Sequence, residues 1–185
     1  MGDGPLPIVE AGSNGNGTGH GLVSLAGLEP VLPVSEDTKA AVDYAGASRF
    51  VAAKYFQAKP AGRTIDQVVI HITDGGARID GTVAWFKAPR KPDGSELKVS
   101  AHYVVGQDGE IVQMVAERDV AYHANSANGR SIGIEHCARS VGALGASDKG
   151  LKPTQAQYEA SAALVRDICT RLGIPIDRVH VLGHN

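Results

Sequence analysis

Apolar residues recur along this chain in two rhythms, one of short β-branched runs and one of helical spacing. Asp66-Gln67-Val68-Val69-Ile70-His71-Ile72 is dense in β-branched residues and runs into Thr73-Asp74-Gly75-Gly76, which predicts a buried strand ending in a turn. A short helix is expected over Ile79 to Lys87, closed by Pro89, with Arg90 to Glu96 as loop. Val99 to Val105 and Glu110 to Val115 read as two strands joined by Gly106-Gln107-Asp108-Gly109, a hairpin turn. In Ser131 to Cys137, alternation puts Gly133, Glu135 and Cys137 on one face and Ile132, Ile134 and His136 on the other. The clearest helix opens at Thr154, where Thr154 and Gln157 make a capping-box pattern. Tyr158, Ala162, Val165, Cys169 and Leu172 then recur at helical spacing until Gly173 ends it. A last strand is expected over Arg178 to Leu182, leading to Gly183-His184-Asn185. No internal repeat is present.

The order of these elements predicts a single α/β domain, a central mixed β-sheet flanked by helices. Upstream the pattern dissolves. Residues 11 to 22, AGSNGNGTGHGL, are rich in glycine and asparagine and gain too little from burial to offset chain entropy, so they read as linker, with His20 solvated in it. Pro30 and Pro33 interrupt the mildly apolar stretch from 23 to 47. Residues 1–48 are therefore taken as an N-terminal extension and 49–185 as the domain.

Composition narrows the partners. A length of 185 residues supports one good core. The net charge of −2 provides no basic field for capturing nucleic acid, so none is expected as a partner. The first residues lack the basic start and apolar core of a secretory signal, position 6 is Leu where a myristoylation site needs Ser or Thr, and no run is long enough to span a bilayer. A soluble monomer without membrane insertion is the expectation. Two cysteines, Cys137 and Cys169, exclude a disulfide framework; they read as buried thiols, with a single bridge as the alternative.

Seven histidines are the chemically interesting set. His71 sits near the exit of one apolar strand and His184 just past the exit of another, rigid positions from which side chains can be held at the spacing a metal needs. A catalytic zinc takes three protein ligands and leaves a position for water. His180, four residues before His184, would point to the same side of an extended strand, so a His71/His180/His184 set competes. Cys137 shares a face with Glu135, which makes a thiolate ligand conceivable beside its reading as a small buried hydrophobe.

Five blocks carry a resemblance: RTIDQVVIHIT at 63–73, VSAHYVV at 99–105, AYHA at 121–124, SIGIE at 131–135 and VLGHN at 181–185. In this order and spacing the chain resembles the type-2 N-acetylmuramoyl-L-alanine amidases, a family that includes phage lysozyme-type amidases and is related to the peptidoglycan recognition proteins. The resemblance covers about residues 49 to 185. It implies a zinc cleft near the strand ends with His71 as first ligand and His184 as second. The third ligand, Asp or Cys in the family, and a basic residue near the scissile carbonyl fall beyond Asn185, so the chain is expected to be truncated at its C-terminus. The resemblance also makes Glu135 the carboxylate that takes the attacking water's proton and passes it to the leaving nitrogen. Some relatives use a tyrosine before the strand histidine instead; Ala101 stands there here, leaving Glu135 as the candidate. His123 matches a histidine lining the substrate groove, with an imidazole placed to hydrogen-bond substrate, His102 a structural position, and His136 reads as packing.

The implied activity is zinc-dependent hydrolysis of the amide between N-acetylmuramic acid and L-alanine in peptidoglycan. A non-catalytic peptidoglycan-binding module is the second reading, and an unrelated α/β binding protein the third. The absent signal suits a phage endolysin that accumulates in the cytoplasm and acts on the cell wall, a recycling amidase, or a truncated exported enzyme.

Overall fold

The computed structural model describes residues 42–184; the linker, His20 and Asn185 lie outside the described residues. Its frame is a six-stranded mixed sheet built from β1 (Arg49–Phe50), β3 (Gln67–Ile72), β4 (Tyr103–Val105), β5 (Ile111–Gln113), β7 (Ser131–His136) and β8 (Val181–Gly183). The spatial order is β1-β5-β4-β7-β3-β8, and β2 (Phe56–Gln57) pairs with β6 (Val120–Ala121) in a separate two-stranded ribbon. Only β4 and β5 run antiparallel within the large sheet, joined by the expected turn with Gly109 at φ 86°, a left-handed position that glycine occupies without strain. These two strands are shorter than the apolar runs suggested: Ser100 N bonds to Tyr122 O, and Met114 N and Val115 N both donate to His102 O, which breaks the regular ladder.

Helices cover both faces. The first, α1 (Ile79–Lys87), has the expected bounds and packs Ile79, Val83 and Phe86 on Val104, Val112 and Cys137. The second, α2 (Gln155–Leu172), packs Leu164, Val165, Ile168 and Cys169 on Val68, Tyr103, Ile132 and Ile134. Strand alternation thus feeds two cores from one sheet. Its Thr154 Oγ1 accepts from Gln157 N at 3.1 Å, and Gly173 closes it in the left-handed conformation, φ 68°.

The buried stripe of α2 differs from the expected one. Tyr158 is 57% exposed, whereas Gln157 and Ser161 are buried. Gln157 does not reach back to complete a capping box; its Nε2 donates to Val105 O at 2.8 Å, and Ser161 meets His136. Polar side chains with buried partners displaced the apolar pattern by one position. Val42, Tyr44 and Ala47, assigned to the extension by sequence, pack against the α2-side core. Asp43 Oδ2 there accepts from Glu117 N at 2.8 Å. Both cysteines are free and buried.

Candidate functional site

Parallel pairing of β3 with β7 sets His71 directly opposite Glu135. Both project on the face away from α2, since Val68, Ile132 and Ile134 occupy the other face. On the far side of β3, β8 pairs Ile70 with Gly183, so the following residue, His184, emerges beside His71. Its amide donates to Ile70 O at 3.0 Å, and the two imidazole centroids lie 4.7 Å apart. Sheet register therefore gathers the two histidines and the carboxylate that the sequence picked out.

His123 joins them from a turn. Its backbone N and that of Ala124 donate to Asn128 Oδ1 at 2.9 and 2.6 Å, within the 3-10 segment Asn125–Arg130. The ring lies flat against Gly133, where a Cβ would come within 2.5 Å of it, so only glycine leaves this seat open. His123 Nδ1 is 3.0 Å from His71 Nε2, and its Nε2 is 3.2 Å from Ser131 Oγ. Both ring nitrogens are engaged in these contacts, and the ring also lines the neighbouring cleft.

Beside this cluster opens a cleft of about 450 Å³, lined by Thr73, Trp85, Ser100, Tyr122, His123 and Glu135 among others. Trp85, on α1, is 41% exposed there. Burial sets the electrostatics. It lowers His71 to about 4, with His184 and His136 adding to the effect, and lowers His123 to about 2, with His102, His71 and His184 adding. Both rings are neutral at pH 7, the form that binds a metal. Burial pushes the Glu135 carboxyl up to about 7, helped by Asp74. Its Oε2 is buried and, among the described residues, has no hydrogen-bond partner. A buried acceptor left without a donor costs about 1–3 kcal/mol, and such costs persist where a ligand or reacting group completes the pairing.

The zinc implied by the resemblance is tested by this donor set. Two adjacent imidazoles, His71 and His184, beside a carboxylate with an unpaired oxygen among the described residues fit zinc in kind. Among the described residues no group of three His, Cys, Asp or Glu side chains is placed to hold a metal ion, so the set there extends to His71 and His184.

The remaining histidines separate cleanly. His180 is not an alternative ligand: it lies in a turn before β8, not in the extended strand expected, and its Nδ1 is 2.7 Å from Asp177 Oδ1. His102 is fully buried, accepting from Gly133 N at Nδ1 and donating from Nε2 to Asp119 O, with burial holding it at about 3. His136 lies under α2 as expected, bonded to His71 O and Ser161 Oγ. Cys137 contacts Thr82 Oγ1 at 3.7 Å within the α1-side core, and burial raises its thiol, so it is packing and not a thiolate. Asn128, Ser131, Gly133, Trp85 and Tyr122 were not singled out by sequence reasoning. Gly133, a lone glycine in an otherwise apolar strand, was the one available signal.

Comparison with known proteins agrees with this geometry. The N-acetylmuramoyl-L-alanine amidase family profile, Amidase_2, matches residues 61–185. N-acetylmuramoyl-L-alanine amidase A of Achromobacter lyticus is 36% identical over 115 residues, 62% of this chain and 56% of that protein, so the match spans little more than half the relative's length. Among solved structures, an AmpD derivative aligns with a TM-score of 0.56 at 28% identity, covering 76% of this chain and 82% of that one. AmiD from E. coli, complexed with the substrate anhydro-N-acetylmuramic acid-L-Ala-D-gamma-Glu-L-Lys, aligns at 0.52 and 28%, covering 69% and 51%. With the profile spanning more than half of the sequence and the sheet, cleft and paired histidines in register beneath it, this chain belongs to the N-acetylmuramoyl-L-alanine amidase family.

Proposed function

We propose that this protein hydrolyses the amide joining N-acetylmuramic acid to L-alanine in peptidoglycan. The observation that carries the reading is the unpartnered Glu135 oxygen at the cleft, one strand away from the His71/His184 pair. His71 and His184 would hold a zinc ion. When bound, zinc polarises the scissile carbonyl and lowers the pKa of water nearby.

The chain's own residues supply the rest. Glu135, as a carboxylate, takes a proton from the attacking water and delivers it to the leaving alanine nitrogen, and burial tunes the group toward that exchange near neutral pH. Trp85, Tyr122 and the ring of His123 line the wall along which the sugar and stem peptide lie. The substrate complex of AmiD, aligned over 69% of this chain, supports a muropeptide as ligand. The enzyme is expected to meet the polymer as a monomer.

Zinc-loaded protein incubated with purified peptidoglycan should release new L-alanine amino termini, measured by amine derivatisation. Binding to the polymer without new termini would sink the hydrolase reading in favour of the recognition module.

A further inference from the structure

We propose that His123 is a positioning residue for His71, holding it in one tautomer through a hydrogen-bond chain that ends on backbone. This rests on the reading of His71 as a metal ligand. Donor counting fixes the direction of every link. Ala127 O can only accept, and Ser131 Oγ lies 2.7 Å from it, so the single hydroxyl hydrogen of Ser131 points there. Towards His123, at 3.2 Å, Ser131 is then an acceptor, and the His123 proton sits on Nε2. His123 Nδ1 carries only a lone pair, so across the 3.0 Å contact His71 Nε2 is the donor. In a neutral imidazole one nitrogen donates and the other accepts. The His71 lone pair is therefore on Nδ1, which makes no hydrogen bond among the described residues, and that is the atom left for a metal.

The surroundings keep the chain in place. Gly133 provides the seat for the His123 ring, Asn128 clamps the His123 backbone, and the two rings meet edge to face at 89° with centroids 5.1 Å apart. A metal-binding histidine usually donates its second N–H to a carboxylate, carbonyl or water, which fixes its ring and raises its basicity. Here a second imidazole takes that place, and with both nitrogens occupied it acts through His71 and not on substrate.

The test uses the full chain labelled with ¹⁵N in its imidazoles. In metal-free protein at neutral pH, long-range proton–nitrogen correlation should show His71 and His123 as Nε2–H tautomers; Nδ1–H on His123 would overturn the proposal. Zinc affinity, measured by competition with a chromogenic chelator, should fall about 10- to 100-fold in His123→Leu. It should be largely restored in His123→Asn, whose Oδ1 accepts near the position of Nδ1. Unchanged zinc affinity in His123→Leu, with only KM raised, would assign His123 to the substrate instead. Wild-type protein that takes up no zinc removes the metal reading and this proposal together, whereas the wrong tautomer removes this proposal alone and leaves the amidase reading standing.

Discussion

Two neighbouring residues of β7, Glu135 and His136, are both drawn out of water and handled in opposite ways. His136 faces α2, is 5% exposed, and has a partner for each nitrogen: Nδ1 donates to His71 O at 3.0 Å and Nε2 accepts from Ser161 Oγ at 2.8 Å. Glu135 faces the cleft, and its Oε2 has none among the described residues. On the α2 face the desolvation cost of a polar group is offset inside the protein; on the cleft face it is left open. Burial alone therefore does not mark a functional residue in this sheet. Burial without a partner does.

The comparison breaks most sharply at Glu135. Replacing it by Gln should lower kcat roughly 100- to 10,000-fold, the usual contribution of a positioned proton-transfer group, while zinc affinity and the circular dichroism spectrum stay as in wild type. Turnover within a factor of a few of wild type would remove Glu135 from the chemistry.

Acidification probes the satisfied side. Burial holds His102 at about 3 and also lowers His136, against an ordinary value of 6.5. The unfolded chain thus binds more protons than the folded one below pH 6.5, so the stability these groups contribute is complete above that pH and is lost as pH falls. Glu135 works in the other direction: its folded value of about 7 exceeds the ordinary 4.5, so its contribution is lost as pH rises between them. Metal-free protein should lose denaturant midpoint steadily from pH 6.5 to 4, and Glu135→Gln should steepen that loss by deleting the opposing group. A midpoint flat across this range would contradict the assignment of neutral, buried imidazoles.

His136→Ala should cost about 2–4 kcal/mol in urea unfolding, since it opens a cavity and strands two partners, with kcat of the surviving folded enzyme little changed. A large kcat loss at full stability would place His136 with the site after all. Smaller still, Trp85→Ala should raise KM several-fold, about 1 kcal/mol of lost contact, with kcat near wild type. Trp85 is the sole tryptophan, so its emission should shift when muropeptide fills the cleft. An emission spectrum indifferent to saturating muropeptide would take Trp85 out of the binding wall.

How far the sequence could be read varies by element for definite reasons. The α1 bounds, the Thr154 cap, the Gly173 stop and the β4–β5 turn were all legible, because each depends on interactions within a few residues. The phase of α2 was not. Its buried stripe runs through Gln157 and Ser161, and their burial depends on Val105 O and His136, which are remote in sequence. His180 was misplaced for a different, local reason: its bond to Asp177, three residues earlier, holds it in a turn, and β8 begins only at Val181.

For the site, the sequence by itself determined the residue types and the faces. His71, His184 and Glu135 were identifiable from strand ends, alternation and the block order of the family, all properties of short segments. Only the tertiary structure decided that β3 and β7 pair with His71 opposite Glu135, that β8 delivers His184 to the same spot, and that Ser131 and Gly133 seat His123 against His71. Register, ring seating and the direction of a hydrogen bond depend on which atoms several distant segments bring together. No spacing within one segment encodes them.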